Sequence, residues 1–260
     1  MSAAAPASGP RPLPGRPPLS ILMYHQVGEF TAPRNHRAGY CHVHRFRTQM
    51  AFLARAGYRV LSLDAAIAGL FGDGELPPRG VVLSFDDGYR NFREHALPVL
   101  QHYGFPAAVY MISGLVGGRA EWLGADGRDT PPMLSASELR ELRQAGITVG
   151  SHTVSHPRLS RLAADAVARE LRDSKAQLED LLGEAVPHFC YPYGDYSPSV
   201  RDAVIDAGYR SALSCIRGAA NTADNVYELP RKAISYGDNL LGYWWKLAMK
   251  NARKDRRGGY

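Results

Sequence analysis

The sequence predicts an α/β fold of parallel strands joined by right-handed crossovers, as an α/β barrel or a wound sheet. Three observations carry this. Short β-rich apolar runs alternate with helix-period stretches along the whole chain. The 260 residues show no internal repeat and no second compositional block, and one barrel can fill that length. The residues with the strongest chemistry follow strands, at the end where such folds build their sites.

Order is expected to begin at Leu19, where Leu19–Tyr24 reads as a strand ended by His25. Residues 44–56 show helical periodicity through Phe46, Met50, Leu53 and Ala54, and Tyr58–Leu63 reads as a strand. Asp64 is placed as the N-cap of a short helix through Leu70. After a loop containing Pro77 and Pro78, Val81–Phe85 is a buried strand, and 89–103 is a helix that Pro98 should kink or bound. Pro106–Ile112 is the next strand. Residues 113–134 then hold five glycines, two prolines and Trp122, a loop length that in a compact domain is functional or mobile. Ser135 and Glu138 form a capping box for a helix to Ala145, and Gly146 precedes the strand Ile147–Gly150. Residues 161–182 make a long amphipathic helix with a leucine-rich stripe. Val186–Tyr191 and Tyr209–Cys215 are strands around a helix at 197–207; Val226–Ile234 is extended, and 239–252 is a last helix.

The net charge of +6 is unevenly placed: residues 1–20 carry +2 and residues 246–257 carry +5, which leaves −1 for the body between them. A nucleic-acid binder carries its basic footprint on the folded surface, so that class is set aside. Cys41, Cys190 and Cys215 are too few and too scattered for a disulfide framework or a cysteine zinc site, and they fit a reducing compartment. Residues 1–18, rich in Ala, Pro, Ser and Gly, are expected to be disordered and lack the apolar core of a signal peptide. With no apolar stretch of about 18 residues, no membrane-spanning helix is expected. The default location is cytoplasmic.

The chemistry centres on Ser84-Phe85-Asp86-Asp87-Gly88 and His152-Thr153-Val154-Ser155-His156. Two adjacent carboxylates at the mouth of a buried strand are costly unless a cation offsets their charge. The β-branched Ile147, Thr148 and Val149 place the histidine pair at a strand exit. Thr153 stands where the helical zinc-protease motif needs a glutamate. Two imidazoles and a carboxylate with positions left open are a standard divalent catalytic set.

Together with Tyr191-Pro192-Tyr193-Gly194, these runs resemble the first three motifs of the NodB-type polysaccharide deacetylases (carbohydrate esterase family 4), in the family's order and each after a strand. The similarity covers roughly residues 19–235. It implies a single-domain distorted (β/α) barrel of about seven parallel strands at 19–237. It further implies a metal-dependent hydrolase that removes N-acetyl groups from an amino-sugar polymer, oligosaccharide or glycolipid. Carried onto this chain, Asp87, His152 and His156 would hold a divalent metal, with zinc the expected ion. Asp86 would be the general base. Tyr193 would offer its backbone N–H to the developing oxyanion. Both acids reach one site only if the strand ends at Phe85 and Gly88 lets the chain turn.

Two departures stand out. The commoner family pattern takes its general acid from a histidine near the C-terminus, and no histidine follows His188. His25, at the end of an N-terminal strand of the right character, is the candidate acid. A permuted subgroup resembling the biofilm-polysaccharide deacetylases has this arrangement, because first and last strands of a barrel are neighbours. The pattern also carries an arginine near Cys190 that orients the catalytic aspartate; Arg231 is the nearest substitute, with an ordinary surface arginine as the competing reading. If no cation steadies Asp86, a carbohydrate-binding relative without turnover becomes the alternative, as does a hydrolase of another non-peptide C–N bond. Residues 238–260 form an amphipathic helix and basic tail. Leu240, Leu241, Trp244, Trp245 and Ala248 line one side of that helix. The simpler reading is a helix closing the barrel; the sharper one is peripheral membrane contact, at the inner membrane, through 239–254.

Overall fold

The structure, a computed structural model, describes residues 9–33 and 35–254. In chain order its strands are β1 (Ser20–Tyr24), β2 (Gln26–Gly28), β3 (Tyr40–His42), β4 (Arg59–Val60), β5 (Gly80–Phe85), β6 (Ala108–Met111), β7 (Thr148–Ser151), β8 (His188–Cys190), β9 (Ser211–Arg217) and β10 (Leu229–Ala233). The α-helices are α1 (Val43–Arg55), α2 (Leu63–Phe71), α3 (Leu97–Tyr103), α4 (Ala136–Gln144), α5 (Ala164–Leu182), α6 (Pro198–Asp206) and α7 (Leu240–Met249).

Of the two architectures left open by alternation, the barrel forms. β1, β5, β6, β7, β8, β9 and β10 close into an all-parallel ring, and β4 adds to the start of β5. β1 is the seam: Leu22 pairs with Leu83 of β5 on one side and Lys232 of β10 on the other. The ring is distorted where β7 and β8 match through one pair, Ser151 and Phe189, and where the β9–β10 register shifts between Leu229 and Arg231.

Two periodicities build the core. Along the strands, Ile21, Val82, Ala108, Tyr110, Cys190, Leu213 and Leu229 meet in one buried cluster drawn from the ring, and α2 adds Leu63, Ala66 and Leu70 to it, covering the base. The alternate residues, such as Leu22, Leu83, Phe85, Val109 and Val149, pack outward against helices. α1 buries Val43, Phe46, Met50 and Leu53 at helical spacing, and α5 buries Val167, Leu171 and Leu178 before Gly183 ends it in the left-handed region. The capping box of α4 forms as expected: Ser135 Oγ accepts from the Glu138 amide and the Glu138 carboxylate accepts from the Ser135 amide.

Several expectations need correction. The N-cap of α2 is Ser62, whose hydroxyl accepts from the Ala65 amide, not Asp64. Asp64 sits in the first turn, where the helix dipole still suits it, and its carboxylate is taken by His188 and Arg210. The 89–103 helix is split into a π-helical turn at Phe92–Ala96 and then α3, with Pro98 in α3's first turn, where a missing amide costs nothing. Of the two readings of 113–134, functional or mobile, the mobile one gives way: Gly117, Ala120 and Met133 donate to Leu134, Pro131 and Gly118 within it, and Leu134 donates to the Gly88 carbonyl. Disorder over 1–18 does not extend to 9–18. Leu13 donates to the Leu70 carbonyl, Val226 donates to that of Pro10, and Arg16 bonds Gly72. A proline-rich segment that cannot fold alone can still lie on a finished surface. Residues 1–8 lie outside the described part. The small β2–β3 sheet has no counterpart in the sequence reading. No helix among the described residues is long and apolar enough to cross a membrane.

Candidate active site

A cavity of about 660 Å³ opens at the C-terminal ends of the ring strands. Its walls include His25 after β1, Asp86 and Asp87 after β5, His152 and His156 after β7, and Tyr193 after β8. Asp86 continues the inward alternation of Val82 and Ser84. Asp87 would face outward on a regular strand, but its φ of 74° lies in the left-handed region and turns it back to the cavity. Gly88 follows at φ +85°, and a Cβ there would meet Met111 Sδ at 2.2 Å, so no larger residue fits the turn.

The described residues contain five non-glycine residues with positive φ, namely His36, Asp87, Thr153, His156 and Tyr193. Four of them line this cavity, and Thr153 lies in the loop that carries both site histidines. Such conformations cost of order 1–3 kcal/mol each and persist where surrounding structure holds them. The histidine loop is held by Glu170 of α5, whose carboxylate accepts from the amides of Val154 (2.8 Å) and Ser155 (3.0 Å) and from the Ser155 hydroxyl. Thr153 Oγ1 adds a bond from the His156 amide at 3.0 Å.

His152 Nε2 and His156 Nε2 lie 3.3 Å and 3.4 Å from Asp87 Oδ1. All three side chains are buried or nearly so, and their ligand atoms lie within 4.8 Å of one another. His152 Nδ1 is 2.7 Å from the Cys190 carbonyl, which can only accept, so Nδ1 carries a proton and Nε2 is the nitrogen turned toward Asp87. Burial pushes the His156 imidazole down to about 3, which keeps it neutral. Two imidazole nitrogens thus converge on one buried carboxylate oxygen, a donor set suited to a cation. Separations near 3.3 Å match the edge of a tetrahedron whose ligands stand about 2.0–2.1 Å from its centre. The set therefore fits a divalent ion.

Asp86 is paired differently. Arg231, fully buried inside the ring, donates Nη1 to Asp86 Oδ1 at 2.6 Å and Nη2 to Oδ2 at 2.7 Å. Its Nε donates to the Ser214 carbonyl at 2.8 Å, and Ser84 Oγ and Cys190 Sγ take further contacts at 3.2 Å each. Burial alone would raise the Asp86 carboxyl; the guanidinium outweighs it and holds the group below the usual carboxylate range. A surface position for Arg231 is thereby excluded.

His25 lines the same cavity with a buried Nδ1 that has no hydrogen-bond partner. Tyr193 sits at φ 59° on a single turn with its ring 4.5 Å from that of His156 and the Arg158 guanidinium 4.3 Å above it. Gly194 is pressed against Cys215, whose Cβ would stand 2.4 Å from an added Cβ. Trp122 leans on His156 at 5.3 Å and Tyr89 at 6.1 Å, so the long loop forms a wall of the cavity. The site thus gathers all seven residues singled out in the sequence. It also contains Tyr89, Arg37 and Arg128, and depends on Glu170, none of which the sequence marked. Glu170 lies off the leucine stripe of its helix among other charged residues, and nothing in its neighbours distinguishes it.

Comparison with known proteins agrees with this geometry. The sequence model of the family described as polysaccharide deacetylase matches residues 73–212, more than half of the chain. YxkH of Bacillus subtilis, a provisionally assigned polysaccharide deacetylase, is 28% identical over 219 residues, covering 84% of this chain and 72% of that protein. The poly-beta-1,6-N-acetyl-D-glucosamine N-deacetylase of Staphylococcus aureus is 28% identical over 182 residues, 66% of this chain but only 60% of its own length. Among solved structures, the Streptococcus pyogenes deacetylase PplD, in complex with acetate, superposes with a TM-score of 0.77 at 24% identity, over 91% of this chain and 99% of that one. At that identity the likeness speaks for the fold alone. Family match and motif order together establish that the chain belongs to the polysaccharide deacetylases, hydrolases of carbon–nitrogen bonds other than peptide bonds.

Proposed function

We propose that this chain is a metal-dependent N-deacetylase of an N-acetylated glycan, with Asp87, His152 and His156 as metal ligands and zinc as the ion. The observation that carries the reading is the convergence of two imidazole nitrogens on one buried carboxylate oxygen, beside a second carboxylate held by an arginine. A divalent ion bound there would supply a Lewis acid that acidifies water and polarises an acetamide carbonyl.

The other residues have distinct tasks. Asp86 accepts the proton of the attacking water; its bidentate pairing with Arg231 keeps it ionised and fixes its orientation. The Tyr193 backbone amide would meet the developing oxyanion; the residue lies on the cavity wall in a left-handed turn, which supports that role. His25, on the cavity wall after β1, protonates the departing amine, the role the permuted subgroup gives to an N-terminal strand. The Staphylococcus aureus relative is named for a β-1,6-linked N-acetylglucosamine polymer, and a related acetamido glycan is the substrate class proposed here. The reading of a glycan binder without turnover drew on Cys190 standing where the family has an arginine. Arg231 beside Asp86 removes that motive.

The test is acetate release from N-acetylglucosamine oligomers and the β-1,6 polymer, by chain stripped with chelator and reloaded with zinc. We expect activity only after reloading, and a drop of about 10²–10⁴-fold in Asp86→Asn with metal content unchanged. Acetate release by Asp86→Asn equal to wild type, or none from the reloaded wild type on any acetamido glycan, would overturn the proposal.

A further inference from the structure

The helix α7 carries most of the exposed large apolar side chains among the described residues. Its inward contacts come from Tyr243 and Leu247, which are buried against the barrel side beside α1. The stripe expected to close the barrel instead faces out. Leu240, Leu241, Trp244, Trp245 and Met249 are all exposed, Leu241 by 71%. Only two other large apolar side chains among the described residues are comparably open, Leu13 and Tyr193. A ten-residue helix that buries two side chains and shows five is laid on the barrel with the wrong face outward for water.

The charge along this segment is mainly basic. Residues 238–257 contain Lys246, Lys250, Arg253, Lys254, Arg256 and Arg257 against Asp238 and Asp255. Lys250 Nζ lies 6.0 Å over the Trp245 ring, beside the apolar face. Lys246 folds back to the Ala233 carbonyl and Asp238, and Arg253 pairs with Asp224, so these two brace the helix. Arg79 shares with Trp244 the lining of a cavity of about 430 Å³ next to the helix.

We infer that α7 docks the protein on an anionic lipid surface. Indole rings favour the boundary between acyl chains and headgroups, and flanking lysines and arginines are attracted to an anionic surface. A second copy of this chain is the poorer occupant. The segment carries more basic than acidic charge, which suits an anionic surface better than a second, equally basic copy of the same face. The inference is independent of the reaction proposed above.

The experiment is co-sedimentation of the full chain with phosphatidylcholine vesicles and with mixed phosphatidylglycerol–phosphatidylcholine vesicles. Tryptophan emission is read in parallel, Trp122 being remote from α7. Wild type should sediment with the mixed vesicles, shift its emission to the blue and be released by salt. The Trp244→Ala/Trp245→Ala and Lys250→Glu/Lys254→Glu variants should each lose at least about tenfold in partitioning while acetate release from a soluble glycan stays unchanged. Equal sedimentation of wild type and both variants would overturn the inference. So would a wild-type dimer in solution that the double alanine variant converts to a monomer.

Discussion

The two ends of this barrel hold similar residues arranged to opposite effect. At the base, His188 at the start of β8 gives one ring nitrogen to Asp64 at 3.2 Å and the other to Ser211 at 2.8 Å, and Arg210 adds a second contact to Asp64. The combination Asp, His and Ser has the composition of a hydrolytic triad, yet Ser211 is wholly buried and every imidazole nitrogen is used. At the mouth, His25 and His156 each keep a buried Nδ1 without a partner, two Nε2 atoms converge on one carboxylate, and the backbone is held in left-handed turns. Residue type does not separate structure from chemistry here. Incomplete satisfaction and stored backbone strain do.

The sharpest way to break this contrast is to mutate one imidazole at each end. His156→Ala should abolish metal retention and lower acetate release by about 10³-fold or more, whereas His188→Gln should keep both and lose only on the order of 1–3 kcal/mol of stability. Metal content by elemental analysis, acetate release and urea denaturation read the three quantities. Comparable activity losses in the two variants would erase the distinction. A smaller effect is expected from Glu170→Ala, which touches no substrate but releases the loop amides of Val154 and Ser155. Metal affinity should fall about 10–100-fold, recoverable at high metal concentration, and chelator titration of the two proteins checks it. The smallest effect concerns pH. The His188 hydrogen bond holds the Asp64 carboxyl below its usual range despite partial burial. A carboxyl with a depressed folded value stabilises the chain above its unfolded value, and that stability is lost as pH falls through the folded one. Wild type should therefore exceed Asp64→Asn in stability at pH 6 and lose the advantage below about pH 4, by urea midpoints across that range.

Much of the mouth was legible from sequence because its motifs are local. Ser84 to Gly88 and His152 to His156 each place ligand residues within a few positions of a strand exit. Strand–helix alternation then brings those exits together. The base was not legible: Asp64, His188 and Ser211 are scattered through the chain, and Asp64 looked like a helix cap because its type suits one. The Arg231–Asp86 pair was reached through the family resemblance, as one of two readings of Arg231; the sequence could not choose between them, since a buried guanidinium inside a ring is visible only once the strands close. The apolar stripe of α7 was read correctly as a stripe, but periodicity cannot say which side of a helix meets the protein. Glu170 was invisible because a carboxylate binding backbone amides leaves no mark in sequence.

The seam strand β1 has a consequence for how this chain is made. Its Leu22 pairs both with Leu83 and with Lys232, so the first strand to leave the ribosome waits for the last. Until translation passes β10, the sheet can exist only as an open, curled intermediate with bare edges on β1 and on the newest strand, at risk of pairing with another nascent copy. Ring closure joins residues almost a full chain apart. The entropy of closing so long a loop is the physical cost of carrying His25 at the end of the ring's first strand.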